Sequence, residues 1–221
     1  MVIAVANMTP AFNLTDLDHQ LLAMTDEEFV YHDWEDLKDI IARNDLGAFR
    51  RKPSDLRRYL AWSADTKAQY GSIMNYICQR RLQWQMPLDS AGSAAIQRPV
   101  AAFKNPRPFA DPEDYKILRN DWPYGLTPGI SHLVVWLRTP IAVKSEEGHL
   151  TEESRLLIDT FVRQTFVDRL AKDPRITSDA ASHVLWFKNW VGLQSVRALE
   201  HVHILVRDVP EDILFEWTGE V

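Results

Sequence analysis

The sequence predicts an α+β protein: an antiparallel sheet with a covering helix, preceded by an N-terminal helical region. Three observations predict it. Apolar residues recur at helical spacing through residues 1–85. A stretch with five prolines, residues 86–112, then interrupts the periodicity. Beyond it, residues 113–221 alternate short apolar, strand-like runs with one strongly periodic helix, the pattern of a sheet packed beneath a helix. The two structured regions are expected to pack together as one globular unit, joined by the Pro/Ala-rich linker.

In chain order, Thr25-Asp26-Glu27-Glu28 has the form of a capping box opening a helix. Trp34, Leu37, Ile40 and Ile41 then fall on one helical face, and the helix ends near Asn44 to Gly47. Pro53-Ser54-Asp55 suits a first turn and opens a second helical region reaching Trp84, with a stripe of Tyr70, Ile73, Met74, Ile77, Arg81 and Leu82 and a break expected near Ser63 to Thr66. Asp114 to Leu118 reads as a helical turn, and Asn120 to Gly125 as a loop fixed by Pro123 and Gly125. Ile130 to Arg138 is a strand. Thr151-Glu152-Glu153-Ser154 opens a helix with Leu157, Ile158, Phe161, Val162, Thr165 and Phe166 at the helical period, closed by Pro174. His183 to Lys188 is a second strand, residues 189–196 a loop, and Leu199 to Arg207 a third strand.

Composition narrows the function. With 221 residues and 46% hydrophobic content, the chain buries a full core unaided. A net charge of −6 and a pI of 5.6 argue against nucleic-acid binding, which rests on clustered positive charge. No apolar run approaches the ~20 residues of a membrane span. Met1 to Ala6 is too short, and lacks the basic flank, for a secretory signal. The single cysteine, Cys78, forms no internal disulfide and lies in a helical pattern as a buried thiol. A cytoplasmic protein without membrane or nucleic-acid partners is expected, with a homodimer as an open alternative.

The last strand carries the chemistry. Side chains alternate along a strand, so His201 and His203 share a face with Leu199, Leu205 and Arg207, while Val202, Ile204 and Val206 point to the core. Two imidazoles facing a cavity can move protons, attack phosphorus or bind metal. Glu200 points away from them, leaving Asp121 as the carboxylate that would fix a tautomer. Lys188 and Asn189 end a strand where a cation and an amide would hold an oxyanion. Trp122 and Tyr124 sit beside Asp121 in the constrained loop, and His132 lies within an apolar strand. Gly-rich phosphate loops, Gly-x-Ser-x-Gly elbows and Cys-x-x-Cys pairs are absent. A metal would need a third ligand from His132, His183 or Asp121, so no cofactor is expected, with a divalent metal as the lesser alternative.

The segments Asp114 to Gly125 with Asn120-Asp121-Trp122-Pro123-Tyr124-Gly125, His132 to Trp136, Trp186 to Trp190, and Ala198 to His203 with Glu200-His201-Val202-His203 resemble a fungal family typified by an N-acetylglucosamine-induced protein. This resemblance implies a fungal protein of primary or secondary metabolism and supplies no reaction. More distantly, the C-terminal half is similar to the histidine-triad (HIT-like) superfamily of nucleotide hydrolases and transferases. Its Gln-Ser-Val loop corresponds to Gln194-Ser195-Val196, although two extra residues follow Val196. Carried over by position, His201 matches the nucleophile and His203 the supporting third histidine, while Leu199 replaces the first.

The expected site therefore comprises His201, His203, Lys188 and Asp121 as catalytic groups. Asn189, Trp122, Tyr124, His132, Gln194, Ser195 and Trp186 are its substrate-binding residues. The expected function is acid/base chemistry on a small molecule without a redox cofactor, of lyase, isomerase or cyclase type. The alternatives are a HIT-like phosphoester or nucleotide-sugar hydrolase or transferase, and a non-catalytic metabolite-binding protein of an amino-sugar response.

Overall fold

A computed structural model describes residues 14–84, 103–144, 148–194, 196 and 199–221. Helices α1 (Asp16–Ala23), α2 (Trp34–Ala42), α3 (Pro53–Tyr70) and α4 (Ile73–Tyr76), the last extended by a π-helical stretch Ile77–Leu82, form an N-terminal layer. Strands β1 (Tyr115–Arg119) and β2 (Ile130–Leu137) follow, then helix α5 (Glu152–Val162), which continues through a π turn into α6 (Asp168–Leu170). Strands β3 (Val184–Phe187) and β4 (Glu200–Arg207) and helix α7 (Glu211–Thr218) complete the order. The four strands make one antiparallel sheet in the order β1-β2-β4-β3, which puts the histidine strand in its interior.

The sheet is covered on both faces, not one. Ile117, Leu133, Val135, Val202, Ile204 and Val206 pack on one face against Ile158, Phe161, Phe166, Leu170 and Leu214 from α5 to α7. The other face carries Leu118, Val134, Trp136, Phe187 and Leu205, packed beneath residues of α2 and of the α4 region. Burial of this apolar area, at roughly 25 cal/mol per Å², is the main stabilising term, and it divides between two cores separated by the sheet.

Several elements differ from the sequence expectation. Thr25 and Glu28 form the box-like hydrogen bond, Thr25 N–H to Glu28 Oε2 at 2.8 Å, but no helix follows. The chain instead pairs with the 124–127 loop: His32 N–H donates to Gly125 O and Thr127 N–H to His32 O. Helix α2 begins after Asp33, whose carboxylate accepts the N–H groups of Glu35 and Asp36. Helix α3 runs through Ser63 and Thr66, both buried, and stops at Gly71, whose φ of 77° a side chain would strain. Asp114 to Leu118 is mostly strand β1 and not a helical turn. Ile117 and Leu118 are both apolar because each of the two faces they point to is covered. Helix α7 went unanticipated. Most of the 86–112 linker lies outside the described residues.

The 124–127 loop is held at one tight point. Gly125 donates its N–H to Arg50 O at 2.8 Å, and a Cβ there would run into the buried Phe29 ring. Gly125→Ala should therefore lower stability by about 1–3 kcal/mol, the usual range for overpacking, read as a reduced midpoint in urea unfolding.

Candidate active site

A cavity of about 800 Å³ lies between the histidine face of the sheet and the N-terminal layer. His201 and His203 form part of its floor, and Trp62, Trp122, Trp136, Tyr59 and Arg51 are among the side chains around it. Antiparallel register places Trp136 opposite His201 and Val134 opposite His203, so β2 and β4 present one continuous surface to the cavity.

The two histidines are held differently. His201 donates Nδ1–H to the carbonyl of Leu199 at 2.8 Å, since a carbonyl can only accept. That bond fixes the tautomer and leaves Nε2 as an unshared pair; no hydrogen bond from the described residues engages it. The His201 ring lies against Trp136, with centroids 4.8 Å apart. Burial holds its pKa down to about 4, with the positive charge of Lys188 adding to the effect against the Leu199 bond, so the ring is neutral near pH 7.

His203 belongs to a closed network. Its Nδ1 lies 2.9 Å from His132 Nε2, and its Nε2 lies 3.3 Å from Asn189 Nδ2. With the Asn189 amide donating to Nε2, the His203 Nδ1–H donates to His132. Phe187 stacks on the same ring at 4.7 Å and 10°. Burial, with the neighbouring imidazoles His132 and His201, keeps the His203 pKa well below its ordinary value, and burial lowers that of His132 to about 3. His201 meets His203 only edge to face, with centroids 5.3 Å apart and no hydrogen bond. The expected partnership between the two is therefore a packing contact.

Of the other expected residues, Asp121, Trp122, Tyr124, Asn189 and Gln194 line the cavity, while His132 sits behind His203. Asp121 pairs with Arg81 at 2.8 Å and reaches no imidazole; the Leu199 carbonyl takes the role expected of it. Tyr124 stacks on His132, and Gln194 donates to the Asn189 carbonyl at 2.7 Å.

Lys188 and Trp186 are not with the histidines. They flank Phe187, the β3 residue that stacks on His203, and alternation turns both toward a second cavity of about 540 Å³. There Lys188 pairs with Glu200 at 3.2 Å, and Trp186 donates Nε1–H to Asp159 at 2.7 Å. Ser195 lies outside the described residues.

Sequence reasoning missed Trp136, Arg51 and Trp62. Trp136 was within reach, because it shares a strand face with His132 and Val134; Arg51 and Trp62 carry no local signal. Among the described residues no three His, Cys, Asp or Glu side chains converge on a point where a metal would sit. No described helix is long and apolar enough to cross a membrane. Cys78 is buried, and burial pushes its thiol up to about 11.

Comparison with known proteins places this geometry in a family. The chain is 30% identical over 193 residues to N-acetylglucosamine-induced protein 1 of Candida albicans, covering 83% of this chain and 71% of that protein. It is 28% identical over 189 residues to an uncharacterized protein of Saccharomyces cerevisiae, covering 86% and 82% of the two chains. Among solved structures, the crystal structure of HTC1 superposes with a TM-score of 0.56 at 26% identity, covering 81% of this chain and 86% of that one. The family described as protein of unknown function (DUF3605) matches residues 33–207, a span that holds both histidine strands, the 120–125 loop and helix α2, and the chain belongs to it.

Proposed function

We propose that the cavity is the active site of an enzyme performing acid/base chemistry on a small metabolite, of lyase, isomerase or cyclase type, with His201 as the base and no redox cofactor. One observation carries this reading: His201 is neutral, its tautomer is set by Leu199 O, and no described residue engages its Nε2 lone pair in a cavity of metabolite size. Two cavity-lining residues also hold buried polar atoms with no hydrogen-bond partner among the described residues, Trp122 Nε1–H and Asn189 Oδ1.

A second reading draws on the same imidazole. A phosphoester or nucleotide-sugar transferase of histidine-triad type also needs an Nε2 nucleophile whose Nδ1–H is held by a carbonyl, and Gln194-Ser195-Val196 favours it. Against it, Leu199 is a buried apolar side chain at the first triad position, and His203 bonds His132, not His201. The name of the Candida albicans relative directs a first choice of substrates toward amino-sugar metabolism.

Incubating the wild-type protein and His201→Ala with fractionated fungal metabolites, followed by mass spectrometry, tests the reading. The wild type should convert at least one metabolite to an isobaric product or one reduced by a neutral loss. The variant should do so about 10²–10⁴-fold more slowly, the usual contribution of a general base. Undiminished turnover by the variant sinks His201 as the base. A phosphorylated or nucleotidylated His201 peptide would establish the second reading, and saturable binding with no product from either protein would leave a metabolite-binding protein.

A further inference from the structure

The charges around the cavity do not balance at one place. Arg81 is neutralised by Asp121 and Glu220, and Arg119 pairs with Glu211. Arg51 has no carboxylate partner among the described residues. Its guanidinium lies near two aromatic rings, 4.8 Å from the Tyr59 centroid and 5.1 Å from that of Tyr124, a ring that also stacks on Phe49 and His132. Its Nε–H and one Nη2–H both donate to the Trp122 carbonyl, at 3.3 and 3.2 Å. The head group is thus fixed in plane and in rotation before any ligand arrives.

A guanidinium presents two forked edges. Trp122 O occupies the Nε–Nη2 edge, so the Nη1–Nη2 edge remains, and that is the geometry that receives a carboxylate or phosphate through two parallel hydrogen bonds. Neutral ligands would leave this cation uncompensated beside three imidazoles that are themselves uncharged. The Trp122 ring that follows the clamping carbonyl, with its unpartnered Nε1–H, lies against Tyr59 and Trp62, which together form an aromatic wall.

We infer that the substrate is an oxyanion-bearing metabolite with a planar or ring-shaped body: its carboxylate or phosphate seats on the Nη1–Nη2 edge of Arg51, its body lies on the Tyr59–Trp62–Trp122 wall, and its reacting hydrogen meets His201. This assignment rests on reading the cavity as the active site, and it makes Arg51 a specificity-determining residue outside the strand that carries the histidines.

Calorimetric titration with benzoate, phenyl phosphate and the neutral isostere benzamide tests it. Saturable binding of at least one anion at millimolar concentration is expected, with benzamide at least tenfold weaker. Phenyl phosphate binding more tightly than benzoate identifies a phosphate substrate, and the reverse order a carboxylate. Arg51→Gln should weaken the preferred anion at least tenfold. Arg51→Lys, which keeps the charge and loses the fork, should fall between, and His201→Ala should still bind. Equal binding of benzamide and benzoate by the wild type overturns the inference without recourse to a variant, as does no saturable response from either anion. Wild-type affinity in a folded Arg51→Gln protein overturns it as well. Should His201→Ala abolish turnover while Arg51→Gln binds anions normally, the anion assignment falls and the active-site reading stands. The converse pair of results removes the base and keeps the anion site.

Discussion

Acidification from about pH 6.5 to 4 is expected to cost the protein several kcal/mol of folding stability, a loss that begins above the range in which carboxylates are protonated. The unfolded chain binds a proton at each histidine near pH 6.5. In the folded protein His201 resists protonation down to about pH 4 and His132 to about 3, because burial disfavours the charged ring. Over that window the unfolded state holds more protons than the native state, so stability rises with pH and is lost as pH falls. A difference between about 6.5 and about 4 is worth roughly 3 kcal/mol for His201 alone, against total stabilities of about 5–15 kcal/mol. Carboxylates held low by Arg175, those of Asp173 and Asp212, lose their contribution only below about pH 4, so they do not account for the upper part of the slope. Urea unfolding at a series of pH values should show this slope in the wild type and a shallower one in His201→Gln, which has no imidazole to protonate. Identical slopes in the two proteins would show that His201 titrates normally and is not buried in solution.

Replacing His203 by leucine should cost more stability at neutral pH than His201→Ala, which loses one hydrogen bond, to Leu199 O, and should slow turnover about 10²–10⁴-fold. His203 bridges His132 and Asn189, so its loss takes the shorter partner from His132 Nε2 and from the Asn189 amide, leaving them Asn120 Nδ2 at 3.2 Å and the Tyr124 hydroxyl at 3.5 Å. An unsatisfied buried polar group costs about 1–3 kcal/mol, so roughly 2–6 kcal/mol is the upper bound for the pair. Removing both imidazoles, His132→Leu with His203→Leu, should destabilise by less than the sum of the single changes, because it leaves fewer stranded partners. The coupling in this double-mutant cycle, measured by urea unfolding, separates a hydrogen-bonded pair from two rings that merely share a wall. Additive effects would contradict the network.

Much of this site is legible from one periodicity. Alternation along residues 199–207 is enough to send His201 and His203 one way and three valine or isoleucine side chains the other, because a strand in the interior of a sheet has little freedom to do otherwise. The same rule, applied to β3, places Phe187 on the histidine face and turns Lys188 and Trp186 away; choosing Lys188 for its charge overrides its phase. Strand β1 escapes because Ile117 and Leu118 are covered on opposite faces, which erases alternation and leaves an apolar run of ambiguous type. Arg51, Tyr59 and Trp62 reach the cavity through packing between distant segments, and nothing in their local sequence reports the partner layer. The Leu199 carbonyl, which sets the tautomer of His201, is a backbone atom, and residue identity does not reveal it.

The register of β4 gives this protein something like a reading frame with a period of two. One hydrogen-bonded strand spells a core on its even-numbered residues and the floor of the cavity on His201 and His203, and its neighbours on both sides lock that phase. Losing a single residue inside β4 would shift the message: valines would enter the cavity and imidazoles would be pressed into the aliphatic core. Such a deletion disrupts the fold and the cavity together, whereas a change in the helical layer above can alter what the cavity accepts and leave the frame intact.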